Sequence, residues 1–137
     1  HVIPALIQRF HKAKENNDKE VVVWGTGNVM REFLYVDDMA QASLFVLELD
    51  DKTYQANTKP MLSHINVGTG KDVTIKEMAE TMKDIVGYKG KLTFDTAKPD
   101  GAPRKLIDTS RLSNMGWRYS IELEDGLKKT YEWYLKN

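Results

Sequence analysis

The stretch from residue 21 to residue 38 constrains the fold more than any other part of the chain. Val21, Val22 and Val23 favour a strand, because branched β-carbons suit a pleated surface. The Gly25–Asn28 turn then interrupts that strand with residues that tolerate a positive φ. A second extended run over 31–36 is expected to pair with the first strand or lie beside it. Asp37 or Asp38 is expected to cap the helix that follows.

The same stretch places Trp24 before the turn and Arg31 after it. A flat aromatic ring and a fixed cation a few ångströms apart suit a base and a phosphate, which are the two ends of a nucleotide. Each residue alone also has a simpler interpretation, since a tryptophan is more often a core residue and an arginine more often a solvated charge.

The remaining pattern alternates helices with short strands. The spacing of apolar residues predicts helices over 4–16 and 37–49, and the second helix is expected to be buried on more than one side. Thr74 and Glu77 form a capping-box pattern, and Gly87 ends the helix that they open. Further expected elements are strands 20–24, 64–67 and 92–94, an irregular loop over 50–62, and helices 109–115 and 122–136. The fold class predicted is mixed α/β, with helices packed on a small mixed sheet in one domain, 1–137.

Composition excludes several classes of protein. Lysine plus arginine and aspartate plus glutamate number 20 each, which argues against a nucleic-acid partner. There is no cysteine for a disulfide or a thiolate site, and no apolar run of the length that a membrane span needs. Because the chain starts at His1 and enters a helix signal at once, we expect it to be a fragment of a longer protein.

The candidate chemistry consists of contacts to an anion and a base. Neither Gly-Thr-Gly segment has the third glycine of a dinucleotide fingerprint, so both are interpreted as tight turns. The histidines lack the spacing of metal ligands, so no metal site is expected. Arg9, Arg31, Lys105 and Arg104 could meet a diphosphate, and His1 could act as an acid or base because a histidine pKa lies near neutrality.

Several longer motifs resemble one family. They are VVWGTG at 22–27, REFLYVDD at 31–38, PMLSHINVGTG at 60–70 and KPDGAPRK at 98–105. REFLYVDD is shared widely among extended short-chain dehydrogenases, whereas the last two motifs together are much narrower. The sequence thereby resembles the GDP-L-fucose synthase family over essentially all of its length.

The resemblance implies a two-domain, NADP-dependent epimerase–reductase, typically a cytoplasmic homodimer, of which this chain is the C-terminal substrate-binding part without the Rossmann domain. Such an enzyme epimerises GDP-4-keto-6-deoxy-D-mannose at C3 and C5 and then reduces the C4 ketone. By position, His1 matches the family's histidine, which is implicated as an acid in epimerisation and lies against the cofactor. The substrate contacts implied are Arg9, Trp24, Arg31, Asp100 and Lys105.

Two alternatives remain open at this point. The chain could be the substrate domain of another nucleotide-sugar epimerase or dehydratase, which a preference for UDP or dTDP over GDP would reveal. It could instead be a non-catalytic interaction module, which predicts no nucleotide binding and an uncharged surface around Arg9, Arg31 and Lys105.

Overall fold

The computed structural model describes all residues from 1 to 137 and confirms a mixed α/β fold. Its helices and strands, numbered along the chain, are α1 Val2–Asn16, β1 Glu20–Trp24, β2 Met30–Glu32, α2 Val36–Leu47, α3 Asp51–Asn57, β3 Asp72–Thr74, α4 Ile75–Val86, β4 Lys91–Asp95, β5 Arg104–Lys105, α5 Ser110–Asn114 and α6 Leu123–Lys136. None of these helices combines the length and the apolar character that crossing a bilayer requires.

The chain divides into two compact units. The first unit comprises His1–Arg31, Val73–Lys105 and Leu127–Asn137, and the second comprises Glu32–Asp72 and Leu106–Gly126. The expectation of a single GDP-sugar-binding domain over 1–137 stays a prediction.

Helices α1 and α4 form the core of the first unit. In α1 the buried side chains are Leu6, Ile7, Phe10 and Ala13, and the helix packs against α4. The predicted capping box of α4 is present, with Thr74 accepting from the Glu77 amide and Glu77 bonding back to residue 74. Gly87 ends α4 in the left-handed conformation that glycine adopts at low cost. These helix ends follow the sequence because a cap is a local interaction.

The strands form two small sheets. β1 pairs in parallel with β4 over its whole length, from Glu20↔Lys91 to Trp24↔Asp95. β2 lies between β3 and β5 in the other sheet, and its Arg31 stands opposite Lys105 in parallel register. The expectation that the run after the turn lies beside the first strand is therefore wrong, because β1 takes its partner from a distant part of the chain.

Local predictions also failed in the second unit. Asp38 does not cap α2; Tyr35 is the N-cap residue, and Asp37 and Asp38 lie within the first turn. Asp38 is buried instead and accepts hydrogen bonds from Ser120 and Ile121. The predicted strand 64–67 carries no ladder, and the loop 50–62 contains α3.

The expected burial of α2 on more than one side is wrong as well. Within the helix only Asp38 and Ala42 are buried, whereas Val36, Met39, Leu44 and Leu47 are exposed. An apolar pattern reports which side chains favour burial, but it does not report whether a neighbouring element covers them.

Candidate functional site

The candidate site lies in the first unit, at the edge where β1 and β4 end. Because the two strands are parallel, the loops that leave them, 25–29 and 96–103, start at the same edge. The Gly25 amide donates to the Asp95 carbonyl at 3.0 Å, which extends the pairing one step beyond the strands. Open α/β sheets bind ligands in this position, outside the carboxyl ends of their strands.

Trp24 presents an open indole at this edge. Trp24 is 64% exposed, whereas the preceding Val23 is only 6% exposed. The Arg9 guanidinium carbon lies 5.9 Å from the centre of the indole, and one of its nitrogens donates to the Val22 carbonyl at 2.9 Å. The Lys98 ammonium lies 5.4 Å from the same ring. The site therefore combines a stacking surface with two cations, a combination that suits a planar base linked to a negatively charged group.

Arg31 is fixed by the backbone around it. One terminal nitrogen, Nη1, donates to the Met30 carbonyl at 2.6 Å and to the Ala102 carbonyl at 2.8 Å. Because Nη1 makes both bonds, the other nitrogens of the guanidinium keep donor capacity for a ligand. Lys105 stands opposite Arg31 in the sheet and is exposed, so the register brings two predicted cations to neighbouring positions.

Asp100 holds the two loops together. Its Oδ1 accepts from the Thr26 amide at 2.9 Å, and its Oδ2 accepts from the Thr26 hydroxyl at 2.7 Å. The hydroxyl bond and the amide bond lower the pKa of Asp100 below its ordinary value, because both stabilise the carboxylate. Gly25, with φ of +88°, leaves room for this contact, since a β-carbon there would collide with the Asp100 carboxylate. In this structure the carboxylate joins loop 96–103 to the turn.

The hydrogen bond from the Thr26 hydroxyl to Asp100 is expected to control the pKa of Asp100. Thr26→Val removes the hydroxyl but keeps the backbone amide, so the pKa of Asp100 should rise toward its ordinary value of 3.8. NMR titration of the side-chain carboxyl carbon measures the pKa of Asp100 in both proteins. Because folding lowers this pKa, the contact stabilises the fold above about pH 3.8 and is lost as the pH falls through the lowered value.

Asp50 provides an internal control for that titration. It accepts from the amide and the hydroxyl of Thr53 in the same arrangement, and its pKa is lowered for the same reason. The pKa of Asp50 should not change in the Thr26→Val protein. An unchanged pKa of Asp100 would show that the hydroxyl does not hold the loop.

His1 is not joined to the other candidates. It is exposed at the N-cap of α1, where its side chain makes no capping bond. Its backbone carbonyl accepts from the Ala5 amide at 3.3 Å. The structure thus brings Arg9 to Trp24 and Arg31 to Lys105, and ties Asp100 to the turn after Trp24, while the proposed role of His1 stays a prediction.

Sequence reasoning did not select Lys98 or Thr26. Lys98 was recognised only as the start of the KPDG loop, and Thr26 only as part of a turn. The signal that identifies both is the pairing of β1 with β4, because it brings the two loops together. That pairing joins residues about seventy positions apart, which local sequence patterns do not report.

The second unit has a cavity of about 330 Å³, and none of the six predicted site residues lines it. Its polar groups engage one another: Lys71 lies 3.4 Å from the Glu122 carboxylate and 5.3 Å from the Tyr119 ring, and the Tyr119 hydroxyl is 3.0 Å from Glu122. The contacts with Tyr119 and Glu122 raise the pKa of Lys71. Because these polar groups bind one another, their arrangement does not indicate a particular ligand, and the volume of the cavity alone does not identify one.

Comparison with known proteins identifies relatives of this chain. The model of the NAD dependent epimerase/dehydratase family matches residues 1–68. The GDP-L-fucose synthase of Escherichia coli (strain K12) is 59% identical over 137 residues, which are 100% of this chain and 43% of that protein.

Solved structures show the same relationship. The GDP-mannoheptose C4 reductase MlghC from Campylobacter jejuni, with NADP bound, has a TM-score of 0.84 and 41% identity, covering 98% of this chain and 45% of that one. A GDP-L-fucose synthetase from Naegleria fowleri bound to NADP has a TM-score of 0.83 and 28% identity, covering 100% and 40%. The chain spans less than half the length of these relatives. Sequence and fold together show that the chain is similar to GDP-L-fucose synthases over its whole length, and that residues 1–68 match the NAD dependent epimerase/dehydratase family.

Proposed function

We propose that this chain is the GDP-sugar-binding part of an NADP-dependent GDP-L-fucose synthase. The enzyme would epimerise GDP-4-keto-6-deoxy-D-mannose at C3 and C5 and reduce it at C4, giving GDP-L-fucose. The observation that carries the proposal is the open indole of Trp24 beside the Arg9 guanidinium, at the carboxyl ends of paired parallel strands. The identity to synthases over the full chain supports it.

In this proposal each site residue has a binding role. The guanine base stacks on Trp24, because an exposed aromatic face stabilises a planar base by roughly 1–3 kcal/mol. Arg31 and Lys105 bind the diphosphate with their free donors, and Arg9 adds positive charge beside the base. Asp100 contributes by fixing the loop that borders the nucleotide and by the acceptor capacity its carboxylate retains.

The cofactor, when bound, supplies hydride for reduction at C4. The residues of this chain do not form a dinucleotide cradle, because the turn at Gly25–Gly27 leads into β2 and the turn at Gly68–Gly70 leads into β3, not into helices. We therefore propose that NADP is held mainly by a Rossmann domain outside these residues. Of the residues here, His1 is proposed to lie against the cofactor and to act as an acid in epimerisation.

The wider setting follows from the same assignment. We propose that the complete enzyme is a cytoplasmic homodimer whose partners are a GDP-sugar and the dinucleotide-binding domain, with no nucleic-acid or membrane partner. The chain alone is proposed to bind nucleotide without reductase activity.

The test is calorimetry of GDP binding to the 137-residue chain and to its Arg31→Ala variant. Loss of charge-assisted hydrogen bonds to phosphate should weaken binding about tenfold to a hundredfold. Arg31→Lys keeps the charge but loses the fork of donors, so its affinity should be intermediate.

Arg118→Ala is the matched control, because Arg118 is an exposed arginine of the second unit. Arg31 also bonds to the backbone, so circular dichroism must confirm that each variant is folded. Equal affinities of the original chain and the Arg31→Ala variant would remove Arg31 from the site.

A second candidate is supported by one comparison. MlghC, a structural neighbour, is named a GDP-mannoheptose C4 reductase. The chain could accordingly serve a reductase or epimerase that acts on a different nucleotide-linked sugar. A binding preference for GDP over UDP and dTDP would support an enzyme that acts on a GDP-sugar. Competition between GDP-linked deoxyhexoses and GDP-linked heptoses for binding would then distinguish the two candidate functions.

A further inference from the structure

The register of β1 and β4 places a carboxylate beside the exposed indole. Asp95 is the direct partner of Trp24 in the parallel pair. The Thr93 hydroxyl donates to the Glu20 carboxylate at 2.7 Å, which shows that alternate residues of the two strands share one face. Trp24 and Asp95 belong to these same alternating sets, so their side chains emerge on one face, with strands about 4.8 Å apart.

The Asp95 carboxylate is oriented but not saturated. Its Oδ1 accepts from the Ala97 amide at 3.1 Å, which fixes the side chain at the start of the 96–103 loop. Its Oδ2 makes no hydrogen bond to a protein donor. The group is half-buried, and the Lys98 ammonium over the Trp24 ring belongs to the same loop. An ionised carboxylate only accepts, so this acceptor capacity suits a ligand that offers donors.

We infer that Asp95 is a specificity-determining residue that selects guanine in the base site. The inference rests on the proposed function, in which a base stacks on Trp24. A base stacked there presents its edge toward the neighbouring strand and thus toward Asp95. Guanine offers two adjacent donors on that edge, N1–H and the N2 amino group, and they match the two oxygens of a carboxylate.

The other bases fit this carboxylate less well. Uracil and thymine place carbonyl oxygens on both sides of their single N3–H, and these oxygens would repel the carboxylate. Adenine offers its N6 amino group next to N1, which is an acceptor. A site that accepts two hydrogen bonds rejects a base that cannot donate them, because the bound base would cover the acceptor and leave it unpaired.

The test is the Asp95→Asn variant of the 137-residue chain, titrated by calorimetry with GDP, inosine diphosphate, xanthosine diphosphate and UDP. Xanthine has a carbonyl where guanine has the N2 amino group, so it is repelled by a carboxylate and can accept from an asparagine amide. The original chain should bind GDP more tightly than the other three nucleotides. In the variant, GDP should bind about tenfold to a hundredfold more weakly and the GDP-to-xanthosine-diphosphate ratio should reverse.

Asp84→Asn, which removes an exposed carboxylate of α4, is the matched control and should leave every affinity unchanged. Asparagine keeps the size of aspartate and can still accept from the Ala97 amide, so the variant should fold; Asp95→Ala provides a second variant. If the unsubstituted chain binds GDP but Asp95→Asn leaves the ratio of GDP affinity to xanthosine diphosphate affinity unchanged, this inference is overturned while the proposed function stands. If the original chain binds none of the nucleotides, both fail.

Discussion

Replacing Phe10 by alanine is expected to lower the free energy of unfolding of the first unit by about 4 kcal/mol. Phe10 is fully buried, and its ring centre lies 5.6 Å from that of the buried Tyr88. Met78 and Met82 of α4, the helix against which α1 packs, are also fully buried. Removing the ring leaves a cavity in a close-packed region, so the lost transfer free energy and the cavity both reduce stability.

The same substitution has a functional consequence. Phe10 follows Arg9 in α1, so loosening the helix should reduce the precision with which the guanidinium meets Trp24. Urea denaturation followed by circular dichroism measures the stability change. Phe10→Leu keeps most of the buried surface and should cost only about 1 kcal/mol, and Gln8→Ala on the exposed side of α1 should cost little. Equal stability of the alanine and leucine variants would contradict the cavity argument.

The predictable parts of this fold are those that depend on neighbouring residues. The C-terminal end of α1 follows from helical spacing, and the ends of α4 follow from the Thr74–Glu77 capping box and from Gly87. Strand β1 follows from its run of valines and is observed over Glu20–Trp24, the predicted range. In each case the interactions that set the structure lie within a few residues of one another.

The parts that failed depend on distant partners. The 64–67 segment has the residues of a strand, but a strand needs a ladder of hydrogen bonds, and this segment has none. β3 and β5 are only three and two residues long, too short for a periodic signal. α2 has an apolar pattern, but most of its apolar side chains are exposed, because burial depends on what packs against a helix.

The candidate site divides in the same way. Trp24 and Arg31 could be selected because an aromatic ring and a cation flank one turn. Asp95 and Lys98 could not, because their place beside Trp24 depends on the β1–β4 register. The pairing of a strand depends on the tertiary fold. The sequence of one segment therefore does not predict which distant residues a sheet will place beside it.

Asp38 departs from the helix-capping role that its position in the sequence predicts. A carboxylate before or within the first turn of a helix commonly binds the free amides of that turn. Asp38 is only 1% exposed and binds a different segment: Oδ1 accepts from the Ser120 amide at 3.0 Å and from its hydroxyl at 2.7 Å, and Oδ2 accepts from the Ile121 amide at 2.9 Å. Burial alone would raise the pKa of Asp38, but these hydrogen bonds outweigh it and lower the pKa.

Replacing Asp38 by alanine is therefore expected to destabilise the second unit by about 3 kcal/mol, because it removes three hydrogen bonds to a charged group and leaves their donors unpaired. Trp117 is the one tryptophan of this unit, so its fluorescence reports unfolding of the unit in urea. Asp37→Ala removes the adjacent, exposed carboxylate and should cost less than about 1 kcal/mol.

The pH dependence identifies the ionised carboxylate as the cause. Because folding lowers the pKa of Asp38, its contribution is complete above the ordinary value of 3.8 and is lost as the pH falls through the lowered value. The second unit should thus lose stability below about pH 4, and the Asp38→Asn variant, which cannot ionise, should lose less over the same range. If the two proteins lose stability in parallel on acidification, other carboxylates govern the acid response and the hydrogen bonds to Ser120 and Ile121 do not depend on charge.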